Sequence, residues 1–302
     1  MMKLTILGCH SATPRENKHT TSQLLEIKGN LFLIDCGEGT QIQLRKAKIK
    51  FARIQHIFIS HLHGDHFYGL IGLISTFRLL GRIAPLHIYG PKGIQEIIQL
   101  QLKLAKSWTD YPLYFHELIS THSECIFNED DIQVETIPLD HRVYTNGFLF
   151  TYKNSHRKIN TEACSKYDIK PYHFNQLQQG KSITLENGEF IENKKLTFPP
   201  ESAKRYAYCS DTAYSESIIN KIKGADLLYH EATFLHQHEG LAKNTKHSTA
   251  QQAAEIAKNA EVKHLVLGHF SSRYPSKEEF IQEAAPIFKA VELAEDFKTF
   301  SI

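Results

Sequence analysis

The chain is predicted to be a layered α/β protein, a four-layer sandwich with helices on the outside of its sheets. Short β-branched and aromatic runs alternate with helical stretches through the first third. The last third repeats that style, which suggests a pseudo-duplicated architecture. At 302 residues and 41% hydrophobic, the chain can bury a substantial core, and it is read as one domain, 1–302.

In order, Leu4–Leu7 reads as a strand, followed by a polar loop and a second strand at Leu24–Ile27. Gly29-Asn30 is a hairpin signal leading into Leu31–Asp35. Helical spacing runs from Gly37 to Lys48, and Ile54–Ser60 is a short apolar run read as a buried strand. Phe67–Leu80 is expected to be a helix, Leu86–Tyr89 a strand and Ile94–Lys106 an amphipathic helix. Val134–Leu139 is strand-like. In the last third, Tyr206–Ser210, Asp226–His230 and His264–Gly268 read as strands. Glu216–Lys223, Ser248–Asn259 and Lys277–Lys289 read as helices, with Ser248 or Thr249 capping the second.

Charge and cysteine usage narrow the classes. Lys plus Arg number 35 and Asp plus Glu 33, so a net charge of +2 excludes a globally basic nucleic-acid binder but not a local basic patch. No stretch approaches the ~18 apolar residues of a membrane span, and the N-terminal residues lack the pattern of a signal peptide. The five cysteines are scattered and never spaced CxxC, so a reduced, cytoplasmic compartment is expected. From Phe150 to Lys181, six basic residues face two acidic ones, a local net charge of +4. That segment, 150–181, is read as an inserted arm. Trp108, Tyr111 and Tyr114 are expected to pack rather than stack on bases, and Cys9 and Cys209 to be buried.

Chemistry concentrates in Ser60-His61-Leu62-His63-Gly64-Asp65-His66, directly after a predicted buried strand. His61 and His63 can share one side of the turn while Asp65 and His66 open the next helix, which suits two metal ions a few Å apart. One turn cannot supply every ligand, so others are expected at further strand ends. His141, Asp211 and His269 each leave a strand, and the carboxylate of Asp211 can bridge two ions where a neutral imidazole cannot.

With these residues the chain resembles the metallo-β-lactamase fold and, within it, the ribonuclease Z family of endonucleases that trim the 3′ end of precursor tRNA. The resemblance spans nearly the whole chain. It rests on Asp35-Cys36-Gly37-Glu38-Gly39-Thr40-Gln41, the ligand turn, Tyr89-Gly90-Pro91-Lys92-Gly93 and Ser210-Asp211-Thr212. It also rests on His230-Glu231-Ala232-Thr233-Phe234, His247-Ser248-Thr249 and the stretch around His269 and Arg273. The resemblance implies a metallo-β-lactamase αββα sandwich with an inserted flexible arm. It implies two Zn2+ per subunit, with Mn2+ also accommodated: one ion on His61, His63, His141 and Asp211, the other on Asp65, His66, Asp211 and His269. It assigns Asp65 as proton acceptor, His247 as proton donor supported by Glu231, and Asp35 as a hydrogen-bonding prop of the ligand turn. It further implies that the arm grips precursor tRNA through Lys153, Arg157, Lys158, Lys166 and Lys170, and that the protein is a homodimer. The products would be tRNA with a 3′-hydroxyl and a trailer with a 5′-phosphate. Two rival readings are a hydrolase of small phosphodiesters on the same fold and a metal-stabilised RNA-binding protein without activity. The joint presence of the ligands and both proton-transfer candidates weighs against the second.

Overall fold

The computed structural model describes residues 2–302. In chain order the first strands are β1 Met2–Gly8, β2 Ser22–Ile27, β3 Asn30–Ile34, β4 Ile54–Phe58, β5 Leu86–Pro91 and β6 Leu113–Leu118. They are followed by β7 Cys125–Glu129, β8 Ile132–Pro138 and β9 Asn146–Tyr152. Four two-residue strands come next: β10 Lys158–Ile159, β11 Ile183–Thr184, β12 Phe190–Ile191 and β13 Thr197–Phe198. The chain closes with β14 Lys204–Cys209, β15 Leu227–Glu231, β16 Leu265–Gly268, β17 Val291–Leu293 and β18 Thr299–Ser301.

Two seven-stranded sheets form, in the orders β18-β1-β2-β3-β4-β5-β6 and β17-β16-β15-β14-β9-β8-β7. Each passes from an antiparallel half to a parallel half, at β3/β4 in the first and at β14/β15 in the second. The resemblance between the two ends of the sequence is thus a repeat of sheet design. β3 shows why its run is uninterrupted by polar residues. Leu31 and Leu33 enter the core under the outer helices, whereas Phe32 and Ile34 enter the core between the sheets. Helices Gly69–Leu79 and Ile94–Leu104 cover the first sheet through Leu73, Ile74, Phe77 and Ile98. Helix Ala250–Asn259 packs its alanine face and Ile256 beside the second sheet, and Thr249 caps it in a reciprocal box with Gln252.

The helix expected over Phe67–Leu80 is interrupted. One turn spans Gly64–Phe67 and the longer helix starts at Gly69. Gly69 N–H donates to Cys36 C=O (2.9 Å), and Cys36 N–H donates to His66 C=O (2.7 Å), so the turn is laced to the end of β3 rather than continued. That approach requires glycine. A Cβ on Gly69 would lie 2.1 Å from the Gly37 carbonyl oxygen, and one on Gly37 2.4 Å from that of Asp65. The helix expected over Lys277–Lys289 ends at Ala284, because Pro286 two residues on has no N–H with which to continue the helical hydrogen bonds.

The inserted segment has different bounds from those its charge suggested. Phe150, Thr151 and Tyr152 belong to β9, which is buried along its whole length between β8 and β14. The excursion therefore runs over 153–203. Residues 182–203 carry four acidic and two basic side chains, so an excess of Lys and Arg does not mark this half of it. It folds around a small core of its own, formed by Cys164, Ile169, Leu177, Ile183, Ile191 and Leu196. Asn193 ties this core together by donating to the carbonyls of Leu177 (2.7 Å) and Lys181 (2.9 Å).

Of the three aromatic residues expected to pack, only Tyr111 is buried, its hydroxyl donating to Ile74 C=O. Trp108 and Tyr114 are 55% and 48% exposed. Tyr114 rests its ring on His87 but stays open on its other side because β6 is the edge of its sheet, and Trp108 lies in the loop before it. Cys9 and Cys209 are fully buried, and all five cysteines are free thiols. Among the described residues, no helix is long and apolar enough to cross a membrane.

Candidate metal centre

The carboxyl ends of the central strands of both sheets meet at one cleft. Asp35 follows β3, His61 and His63 follow β4, and Asp211 follows β14. Glu231 is the last residue of β15, His269 follows β16, and His141 comes from the β8–β9 connection. Asp35, Asp211 and His269 have φ of 55°, 59° and 59°, a left-handed conformation that turns each side chain sharply out of its strand line. The cleft has a volume of about 560 Å³, and His63, Asp65, Arg142, Asp211, His247 and His269 are among its lining residues.

Two donor clusters share Asp211. In one, His61 Nε2 and His141 Nε2 lie 2.9 and 3.3 Å from His63 Nδ1. The same two nitrogens are 3.9 and 4.0 Å from Asp211 Oδ1. In the other, His66 Nε2 and His269 Nε2 are 3.3 Å apart, 3.0 and 3.2 Å from Asp211 Oδ2, and 3.6 and 3.4 Å from Asp65 Oδ2. Ligands ~2.0–2.1 Å from a common tetrahedral ion stand about 3.3 Å from one another. The second cluster and the three histidines of the first are close to that spacing, while Asp211 Oδ1 stands farther from His61 and His141, at 3.9 and 4.0 Å.

Protonation also fits divalent cations. His66 Nδ1–H donates to Asp35 Oδ2 (2.7 Å) and His141 Nδ1–H to Lys246 C=O (2.9 Å). Ser60 Oγ–H donates to Asp35 Oδ2 (2.8 Å), so its lone pair accepts from His61 Nδ1–H (3.0 Å). His269 Nδ1–H donates to Thr233 Oγ (2.8 Å). His61, His141 and His269 therefore turn an unprotonated Nε2 toward the cluster, as ligation requires. Burial opposes a charge on His66, but the carboxylates of Asp211, Asp65 and Asp35 outweigh it and hold its imidazole well above the usual range, so a bound cation would take the place of its Nε2 proton. Burial and the neighbouring His66 hold His61 well below the usual imidazole range, so it is neutral. Four carboxylates, Asp35, Asp65, Asp211 and Glu231, crowd the site. Among the described residues their ion-pair partners are histidines, with no Lys or Arg to offset the charge.

Beside the clusters, Glu231 is fully buried and accepts from Thr212 N–H (2.7 Å) and His247 Nδ1–H (2.8 Å). Burial opposes a charge on His247, but the Glu231 carboxylate outweighs it and holds the imidazole up at about 9. Asp35 additionally accepts from Ser60 N–H (2.7 Å) and from the Tyr208 hydroxyl, which reaches across from the opposite sheet.

The structure thus brings together His61, His63, Asp65, His66, His141, Asp211, His269, His247, Glu231 and Asp35. The basic residues of the excursion lie elsewhere. Lys153, Lys158, Lys166 and Lys170 are exposed on it, Lys170 pairing with Asp168, while Arg157 is half-buried and donates to Thr197. His10, His19, His87, His116 and His122, read as non-ligands, lie outside the donor clusters. Reading the sequence missed Ser60, Tyr208 and Thr233 as hydrogen-bonding supports. Ser60 and Thr233 lie inside the quoted motifs, but nothing local marks Tyr208, which meets Asp35 only by facing it across two sheets.

Comparison with known proteins adds family information. Residues 2–170 match the profile described as Anti-Pycsar protein Apyc1, and residues 193–270 that of the Beta-lactamase superfamily domain. The chain is 47% identical to a protein named Ribonuclease Z from Bacteroides thetaiotaomicron, over 97% of this chain and 93% of that protein. It is 45% identical to Ribonuclease Z of Cytophaga hutchinsonii, over 99% and 96%. Among solved structures, human tRNase Z, short form, superposes with a TM-score of 0.73 at 30% identity, covering 99% of each chain.

Proposed function

This chain belongs to the ribonuclease Z family of the metallo-β-lactamase fold, and from that membership we propose that it removes the 3′ trailer from precursor tRNA. In this reading it is a cytoplasmic endoribonuclease that holds two Zn2+ per subunit, leaving a tRNA 3′-hydroxyl and a trailer 5′-phosphate. The observation that carries the reading is the sharing of Asp211 between two donor clusters with Glu231–His247 beside them.

His61, His63, His141 and Asp211 would hold one ion, and Asp65, His66 and His269 the other, with Asp211 Oδ2 beside them. Bound divalent ions would supply neutralisation of phosphate oxygens and a water acidified toward a pKa of ~7. The protein's own groups do the rest. Asp65, whose Oδ2 is oriented by Ala12 N–H (2.7 Å), accepts a proton from the water whose oxygen bonds to phosphorus. As the bond from phosphorus to ribose O3′ breaks, His247 donates its proton to that oxygen. Glu231 occupies Nδ1 of His247, leaving Nε2 as the free nitrogen of a cleft-lining side chain.

The excursion over 153–203 supports a role in gripping the tRNA body, with Lys153, Lys158, Lys166 and Lys170 available to backbone phosphates and Arg157 contributing less freely. Exposed Leu79, Leu80 and Ile83 at the end of one outer helix support a covered face, consistent with a homodimer.

The test is cleavage of a 3′-extended precursor tRNA by zinc-loaded protein, with both product ends mapped. A single cut near the discriminator base that leaves a 3′-hydroxyl, and that is lost on chelation, is expected. No cut, with hydrolysis of bis(4-nitrophenyl) phosphate retained, would move the substrate to small phosphodiesters. The excursion is tested separately. Leu177 is fully buried in its six-residue core, so Leu177→Ala should cost about 2–5 kcal/mol of local stability. KM for the precursor should rise roughly tenfold through lost phosphate contacts, with the small diester hydrolysed as before. Equal losses on both substrates would argue against a separate tRNA-gripping role.

A further inference from the structure

We propose that Thr233 is a positioning residue that sets the tautomer of His269 and ties this ligand to the Glu231–His247 pair. The proposal rests on the two-ion reading above.

Thr233 is nearly buried at the wall of the cleft. Its hydroxyl oxygen lies 2.8 Å from His269 Nδ1, 3.3 Å from His247 Nδ1, and within hydrogen-bond reach of Glu231 Oε2. A hydroxyl has one proton to give and two lone pairs. The Glu231 carboxylate can only accept, and it also receives Thr233 N–H, Thr212 N–H and His247 Nδ1–H. The Thr233 proton therefore goes to Glu231, and its lone pair accepts Nδ1–H from His269. That assignment leaves His269 Nε2 unprotonated beside Asp211 Oδ2 and Asp65 Oδ2.

No other partner serves His269 Nδ1 among the described residues. The other Nδ1–H donors are secured differently: His66 by a carboxylate, His141 by a backbone carbonyl and His61 by a serine that is itself held by Asp35. Without the hydroxyl, His269 gains by moving its proton to Nε2 and donating it to Asp211 or Asp65. A ring in that state cannot ligate. Because Glu231 keeps its backbone donors, the effect should fall on the cluster containing His269 and spare the one containing His141.

Thr233→Val removes the hydroxyl at nearly constant volume, and Thr233→Ser keeps it. In metal-free protein labelled with 15N-histidine, long-range 1H–15N spectra should show His269 protonated at Nδ1 in the parent and the serine variant, and at Nε2 in the valine variant. In zinc titrations against a chromophoric chelator, Thr233→Val should weaken the second ion about 10–100-fold while changing the first less than twofold. Thr233→Ser should restore both. An unchanged tautomer and unchanged affinities in the valine variant would overturn the proposal. If the parent binds fewer than two ions, the two-ion reading fails while the tautomer measurement still decides the role of Thr233. Should Thr233→Val fail to fold, Thr233→Ala puts the same question.

Discussion

Asp211→Ala is expected to lose both bound ions together and to lower kcat/KM on precursor tRNA by about 10³-fold or more. Metal centres contribute several kcal/mol of charge stabilisation in such displacements, and each 1.36 kcal/mol is a factor of ten. The reason for a joint loss is geometric. Oδ1 of Asp211 faces His61 and His141, and Oδ2 faces His66 and His269. His141→Ala should behave differently, because His141 contributes to one cluster alone. Metal content after dialysis, measured on both variants, separates them. The bridging assignment would be wrong if Asp211→Ala retained one ion per chain.

His247→Ala should keep its metal and lose about 10²–10⁴-fold in cleavage of precursor tRNA, the usual contribution of a general acid. Ribose O3′ is a poor leaving group that needs a proton as it departs. A 4-nitrophenolate does not, so hydrolysis of bis(4-nitrophenyl) phosphate should fall little. His247 Nδ1 stands 2.8 Å from Glu231 and 3.8 Å from Asp211, which makes it a partner of Glu231 first. Metal loss in this variant would mean that His247 is a ligand. Equal losses on the two substrates would mean that it does not protonate the leaving oxygen.

Much of this site was readable because its chemistry is local. His61, His63, Asp65 and His66 fall within one turn, and a turn that follows an apolar strand must lie at a sheet end. Asp211 and His269 were readable for a related reason, each ending a short apolar run in a chain whose parallel strands deliver their carboxyl ends to one edge. The misread elements failed where a distant partner overrode local pattern. The helix over Phe67–Leu80 is broken because Gly69 bonds to Cys36 instead of to its own preceding turn. Phe150–Tyr152 reads as the edge of a basic segment, but pairing with β8 and β14 on both sides makes it part of the sheet. Trp108 was expected to pack because an aromatic residue after an amphipathic helix usually does, and its sequence does not reveal an edge-strand neighbourhood.

Residue types, their periodicity and short spacings were enough to specify the layered class, the strand-end placement of the ligands and the cation chemistry they suit. Folding alone determined which oxygen of Asp211 faces which cluster, that Tyr208 reaches Asp35 from the opposite sheet, and that one threonine hydroxyl serves both Glu231 and His269. Periodicity reports which face a side chain takes on its own element. A hydrogen bond between residues far apart in the chain depends on the relative placement of two elements to within a few tenths of an ångström, and that placement is set by packing of the whole core.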